Sequence, residues 1–288
     1  MKYVKKYYKD LDLIRLFACI CVLLYHFNIL NGGYLAVCTF FVLSGYLSCV
    51  SAFKNEKFSL KKYYLNRLMH LYIPLVIVVF ISIFAISFIS NINWINLKPE
   101  TTSVLLGYNN FWQLSANLDY FARHINSPFM HLWYISILLQ FDLVFPFIFI
   151  GLRKLGDKVN RIIPCILTIL LSIIGSIYFY ISSLNQDIMV VYYNTFTRIF
   201  SLLFGLSLGF IHSYYKPLIF NKLKGKYVSK ILFYAYLLLL VTLCIFISDK
   251  SLYFSIAMII VTVVSCRLID YGVIDFNKRL SLFDKFVK

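Results

Sequence analysis

Arg15 and His26 stand eleven residues apart in the first long apolar run of the chain. At about 100° per residue that spacing closes three helical turns with roughly 20° left over, so both side chains leave one face of a helix. Along the axis they lie about 16 Å apart, at about 1.5 Å per residue. An arginine at a membrane surface can hold phosphates bidentately, and an imidazole deeper in can serve as a general base near neutral pH. The separation is comparable with an extended pantetheine arm, so the pair could seat an acyl-CoA end-on. The competing reading makes Arg15 a snorkelling charge and gives His26 a hydrogen bond to a neighbouring helix. For His26 the functional reading is the stronger, because ionisable groups at membrane depth are costly and line cavities or reaction paths.

Other polar groups occupy similar positions. Arg67 and His70, three residues apart, share a helical face able to meet phosphates, with a basic interfacial anchor as the alternative. His131 and Trp133 open another apolar run just after Pro128, and Gln140 and Asp142 fall deeper in it. His131 has the depth that a second catalytic or substrate group requires. Arg198, just after Tyr192, Tyr193 and Asn194, is a charge inside a run. It needs an anionic or carbonyl partner, with Asp142, the surroundings of His131 and a bound substrate as candidates. All seven cysteines sit in apolar runs without the paired spacing of a zinc site or disulfide framework. They read as packing residues, and no metal is expected.

The elements that carry these groups follow from composition. Of 288 residues, 61% are hydrophobic and only 14% charged, which makes lipid the solvent for most of the chain. Apolar runs long enough to cross about 30 Å of hydrocarbon as helix fall at 13–30, 33–53, 71–92, 130–152, 162–181, 196–212, 231–247 and 252–269. The basic residues behind the net charge of +16 cluster in alternate connections, while the intervening connections hold only Lys98, Arg123 and Lys250. That pattern reports orientation rather than nucleic-acid binding, and it places both termini in the cytoplasm. The expected fold is an all-α polytopic membrane protein with about eight transmembrane helices. The basic-then-apolar start resembles a signal peptide, but without a small-residue cleavage site it is retained as the first helix. Gly32 and Gly33 make a tight turn into Phe40-Phe41-Val42-Leu43-Ser44-Gly45-Tyr46-Leu47, whose small residues permit close helix approach. The connection 93–128, with Trp94, Phe111, Trp112, Tyr120 and Phe121, is expected outside the cell at the interface, where it could roof a site.

With those residues in place, the chain resembles acyltransferase family three, the integral membrane O-acyltransferases that include bacterial peptidoglycan and polysaccharide O-acetyltransferases. The resemblance rests on Arg15 followed by ten residues and His26, on the Phe40 to Leu47 motif, and on the Arg67 to Pro74 stretch. It rests also on His131-Leu132-Trp133 and on Thr197-Arg198 with Leu202-Leu203-Phe204-Gly205. These motifs cover essentially the whole chain, 1–288, as one integral membrane acyltransferase domain. The sequence departs from the family pattern at His70, where a second arginine is usual, and at Leu138, where many members place a glutamate. After the stretch 281–288 the family usually continues with further helices, and peptidoglycan members often add an extracytoplasmic esterase-like domain, so the chain is expected to lack these parts.

The resemblance implies His26 and His131 as catalytic residues. It implies Arg15, Arg67 and His70 as contacts for cytoplasmic acyl-CoA (acetyl-CoA), and Arg198 and Trp133 on the substrate side. The acyl group, acetyl, would pass to hydroxyls of cell-wall peptidoglycan or polysaccharide, with a separate extracytoplasmic transferase or esterase domain as partner. The bilayer expected is a bacterial plasma membrane, and richness in Phe, Tyr, Ile, Lys and Asn fits an AT-rich Gram-positive source. Two rival readings stand beside this one. In a transporter or flippase for a polysaccharide precursor, Arg15, His26, His131 and Arg198 would line a path without covalent chemistry. In an inert truncated scaffold they would do neither.

Overall fold

The computed structural model describes residues 9–54, 57–88, 96–116, 127–215, 226–248 and 253–286. Trp94, Tyr120, Phe121, Arg123 and Lys250 lie outside them. Among the described residues there is no strand, and seven helices are long and apolar enough to cross a membrane. An eighth long helix, α1 (Lys9–His26), carries Lys9, Asp10, Asp12 and Arg15 in its first half and so has a shorter apolar stretch. The protein is an all-α polytopic membrane protein.

The first expected run is helical only as far as His26. Asn28 adopts the left-handed conformation, with φ of 59°, and the amides of Asn28 and Ile29 return to the carbonyls of Tyr25 and Leu24. This is a Schellman closure, in which asparagine takes the position glycine usually holds. The chain then turns through Gly33–Leu35 into α2 (Ala36–Phe53). Further on come α3 (Leu60–Arg67), α4 (Ile73–Ile86), α5 (Leu97–Leu105), α6 (Asn109–Ser115), α7 (Trp133–Lys158), α8 (Ile162–Asn185), α9 (Ile188–Tyr193), α10 (Thr195–Tyr215), α11 (Lys226–Phe246) and α12 (Phe254–Phe286). A π turn, Leu68–Tyr72, joins α3 to α4. Pro74 has no amide to give the carbonyl of His70, and the helix answers by widening, with Ile73 N–H bonding Leu68 O five residues back.

The described residues fall into two compact units. The first combines α1, α2 as far as Ser51, the first part of α8, and α10 from Ile199 through α12. Its core runs along α2, α10 and α12. A β-carbon on Gly45 would collide with the carbonyl of Leu202, and one on Gly205 with the carbonyl of Val42, so the two glycines let the α2 and α10 backbones touch. Hydroxyl pairs join these helices, Thr39 to Ser265 at 2.8 Å and Ser201 to Thr262 at 2.9 Å, and Ser172 to Ser207 at 3.2 Å ties α8 to α10. Each such pair contributes about 0.6 kcal/mol, so the close packing they accompany carries more of the association than they do.

The second unit comprises residues 52–160 and 181–198. Its apolar core brings together Leu75 and Val79 of α4, Leu97 and Val104 of α5, and Phe129 and Leu132 before α7. In this way the described part of the connection after α4, residues 96–116, folds into two short helices, and α5 packs on α4 and the start of α7 within this unit.

Candidate active site

In the first unit, α1 carries both Arg15 and His26, as their spacing requires. Arg15 Nη1 pairs with Asp12 Oδ1 at 2.6 Å, one turn earlier on an exposed face. His26 is the last residue of α1 and exposed. Its ring meets the edge of Tyr25 at 5.6 Å, Tyr25 meets Tyr34 at 5.6 Å, and Tyr34 stacks on Phe254 of α12 at 5.6 Å. Tyr34 also donates through Oη to the carbonyl of Ser248 at 3.2 Å. A β-carbon on Gly33 would collide with the Cys21 carbonyl, so the turn after α1 lies hard against the helix. The imidazole thus sits on a helix end fixed from three sides.

The same unit holds a polar cluster that sequence reasoning missed. His212 Nε2 lies 3.0 Å from Asp270 Oδ1 and His212 Nδ1 3.2 Å from Tyr46 Oη, all three side chains being buried. Arg267 Nη1 approaches the other Asp270 oxygen at 3.8 Å. Tyr46 lies in the Phe40 to Leu47 motif of α2, but its partners stand far along the chain on α10 and α12, and pairing across that separation leaves no local pattern. The signal that could have found it is the presence of His212 and Asp270 at the ends of two apolar runs.

In the second unit, Arg67 Nε lies 3.1 Å from Asp142 Oδ1 on α7. Tyr63 Oη donates to the same carboxylate oxygen at 2.7 Å and accepts from Arg67 Nε at 3.2 Å. Asp142, one of the partners considered for Arg198, is therefore engaged by Arg67. A groove of about 550 Å³ runs beside this group, with Lys61, Arg67 and Gln140 among its polar lining and Leu105, Leu139 and Leu143 among its apolar lining. That volume lies in the range of small-molecule sites; Asp142 also lines the groove and pairs with Arg67, so the lining carries one positive charge in excess. His70 falls within the π turn and is exposed, outside the groove lining. The widened turn sweeps fewer degrees per residue, so the face expected to hold Arg67 and His70 together is split.

Gln140, deeper in α7, explains its own presence. Its amide donates to the Gly107 carbonyl at 2.8 Å and to Asn110 Oδ1 at 2.9 Å, and its oxygen accepts from Thr195 Oγ1 at 2.6 Å. Asn194 caps α10 by accepting from the Phe196 amide at 2.9 Å. One turn into that helix, the fully buried Arg198 places its guanidinium 5.0 Å from the Tyr192 ring centre and 5.7 Å from that of Trp133. Trp133 packs on Tyr192 at 4.7 Å, so the arginine is held in an aromatic box. His131 is exposed and lies in the short turn Met130–Leu132, with buried neighbours on both sides. The second unit thus gathers Trp133 with Arg198, and Arg67 with Asp142.

A family described as "Acyltransferase domain" matches residues 8–282. The chain is 33% identical over 216 residues to O-acetyltransferase OatA of Staphylococcus aureus, the alignment covering 73% of this chain and 35% of that protein. A putative O-acetyltransferase of Staphylococcus aureus strain COL is 31% identical over 220 residues, covering 73% of this chain and 36% of that protein. The matched region spans about a third of the length of these curated relatives. No solved structure matches the chain.

Proposed function

From the premise that this chain belongs to the acyltransferase-3 family, we propose that it moves an acetyl group from cytoplasmic acetyl-CoA to hydroxyls of cell-wall peptidoglycan or polysaccharide across a bacterial plasma membrane. The observation that carries this reading is the placing of Arg15 and His26 on one helix, about 16 Å apart along its axis. Arg15 holds donor phosphates at the cytoplasmic end, and His26 acts on the thioester at the far end. Arg67, at the groove in the second unit, and His70 are proposed as further donor contacts on the family resemblance alone. His131, Trp133 and Arg198 serve the acceptor side, and a separate extracytoplasmic transferase or esterase domain receives or relays the product.

In the chemical step His26 takes the proton of the acceptor hydroxyl while its oxygen attacks the thioester carbonyl carbon. The C–S bond breaks, the ester C–O bond forms, and the proton ends on the departing CoA thiolate. In the covalent variant the neutral imidazole attacks the thioester carbon, the C–S bond breaks and CoA leaves as the thiolate; the hydroxyl oxygen then attacks the acetyl carbon, the N–C bond breaks, and the hydroxyl proton ends on the thiolate. The test is transfer of labelled acetyl from acetyl-CoA to wall polysaccharide by membranes holding this chain, with and without His26→Ala. Transfer that disappears on substitution is expected. Equal transfer in both sinks the role given to His26, and polysaccharide export independent of acetyl-CoA would favour a transporter.

A further inference from the structure

Glu100 is a fully buried acid on α5 that the mechanism above does not use. Its Oε1 accepts from the Phe129 amide at 3.0 Å, from Gln113 Nε2 at 3.1 Å and from the Ser127 hydroxyl. Its Oε2 and the Gln113 Oε1 are buried without a hydrogen-bond partner. The described side-chain bonding therefore runs through one oxygen, and two of its three donors stand on a segment 27 to 29 residues away in the chain.

That segment leads straight to His131. Asn109 Nδ2 donates to the Phe129 carbonyl at 3.0 Å, so both backbone polar groups of Phe129 are held by buried side chains, the amide by Glu100 and the carbonyl by Asn109. Asn109 is itself fixed: its amide N–H donates to Ser136 Oγ of α7 at 3.1 Å, and its Oδ1 accepts from Ser103 at 3.0 Å. Phe129, with φ of −110° and ψ of 14°, sits in the sparsely populated bridge region and is the residue on which the Met130–Leu132 turn is built. The next amide to close that turn, Leu132 N–H, returns to the same Phe129 carbonyl at 2.9 Å. A buried acid with three donors on one oxygen is a costly arrangement, and what it holds in place is the turn that presents an exposed imidazole.

We propose that Glu100 is the positioning residue of His131: with Asn109 it holds Phe129 at both its amide and its carbonyl and so sets where the imidazole stands. The proposal rests on the acceptor-side role given to His131 above only for its consequence in catalysis. Because Oε2 bonds nothing, the clamp needs an accepting oxygen and not a second one, so a glutamine can do the same work and an alanine cannot.

Two readouts test it. The first needs no activity: the rate at which diethyl pyrocarbonate modifies His131 in the membrane-embedded chain, read by peptide mass spectrometry. Glu100→Ala is expected to change that rate several-fold and Glu100→Gln to return it toward wild type; one common rate in all three proteins overturns the proposal. The second is acetyl transfer. Glu100→Ala is expected to lower kcat by roughly tenfold to a hundredfold, as a misplaced catalytic group does, with KM for acetyl-CoA kept and with recovery in Glu100→Gln. In a His131→Ala background Glu100→Ala should add no further loss, whereas a loss of equal size in both backgrounds overturns action through His131. Should His131→Ala alone transfer like wild type while the modification rates still shift, the acceptor-side reading of His131 fails and the positioning stands.

Discussion

At Arg67 one cation is held by two groups, the Asp142 carboxylate at 3.1 Å and the Tyr63 phenol at 3.2 Å. The Asp142 side chain is only 9% exposed but that of Arg67 is 33% exposed, so water screens part of the pair. Asp142→Leu should therefore cost about 1–3 kcal/mol, less than the loss of a partner from a fully buried pair. The melting temperature of the detergent-solubilised protein would show this, and a change too small to measure would mean that Arg67 finds other partners. Arg15 and Asp12 present the opposite case, with side chains 45% and 37% exposed. Asp12→Asn is expected to leave the melting temperature within its error, since exposed pairs contribute little. It should also lower KM for acetyl-CoA, by removing a negative charge beside the arginine that receives the phosphates. A raised KM would argue that Asp12 orients Arg15 for the donor.

At the scale of elements, a left-handed Asn28 ends α1 two residues after His26. Glycine there should be tolerated, whereas Asn28→Val should cost about 1–3 kcal/mol through backbone strain, read as a lower melting temperature and a smaller yield in the membrane. This helix end also shows how far the sequence could be read. The apolar runs were legible because membrane helices need little more than length and hydropathy, and so was the shared face of Arg15 and His26, which is a matter of arithmetic within one helix. The place where α1 stops was not, because an asparagine in the left-handed region looks like any other asparagine. The π turn at Leu68–Tyr72 was equally hidden, and with it the separation of His70 from Arg67. Least visible were Glu100 and the Tyr46, His212 and Asp270 group. Glu100 lies in a polar connection that reads as surface, and the three others meet only when α2, α10 and α12 pack.

For the whole molecule, stability should respond to the state of Glu100. Burial pushes this carboxyl above the ordinary glutamate range, against the donors from Ser127, Phe129 and Gln113. The folded protein then holds a proton that the unfolded chain gives up, so stability is fully present below the ordinary glutamate value of about 4.3. It declines as pH rises through the elevated value of the folded state. Unfolding midpoints measured across pH 4 to 8 should fall with rising pH over that window in the wild type and lose that component in Glu100→Gln; parallel profiles would place the proton elsewhere. The π turn has a further consequence. A π turn is what an α-helix forms when it takes up one residue too many. Deleting a single residue from Leu68–Tyr72 would restore the α-helical register between α3 and α4, with the missing bond at Pro74 left in place. It would also rotate everything on the α3 side by about 100° about the helix axis, swinging Tyr63 and Arg67 away from Asp142. The reading frame of the helix, more than its composition, aims these two side chains.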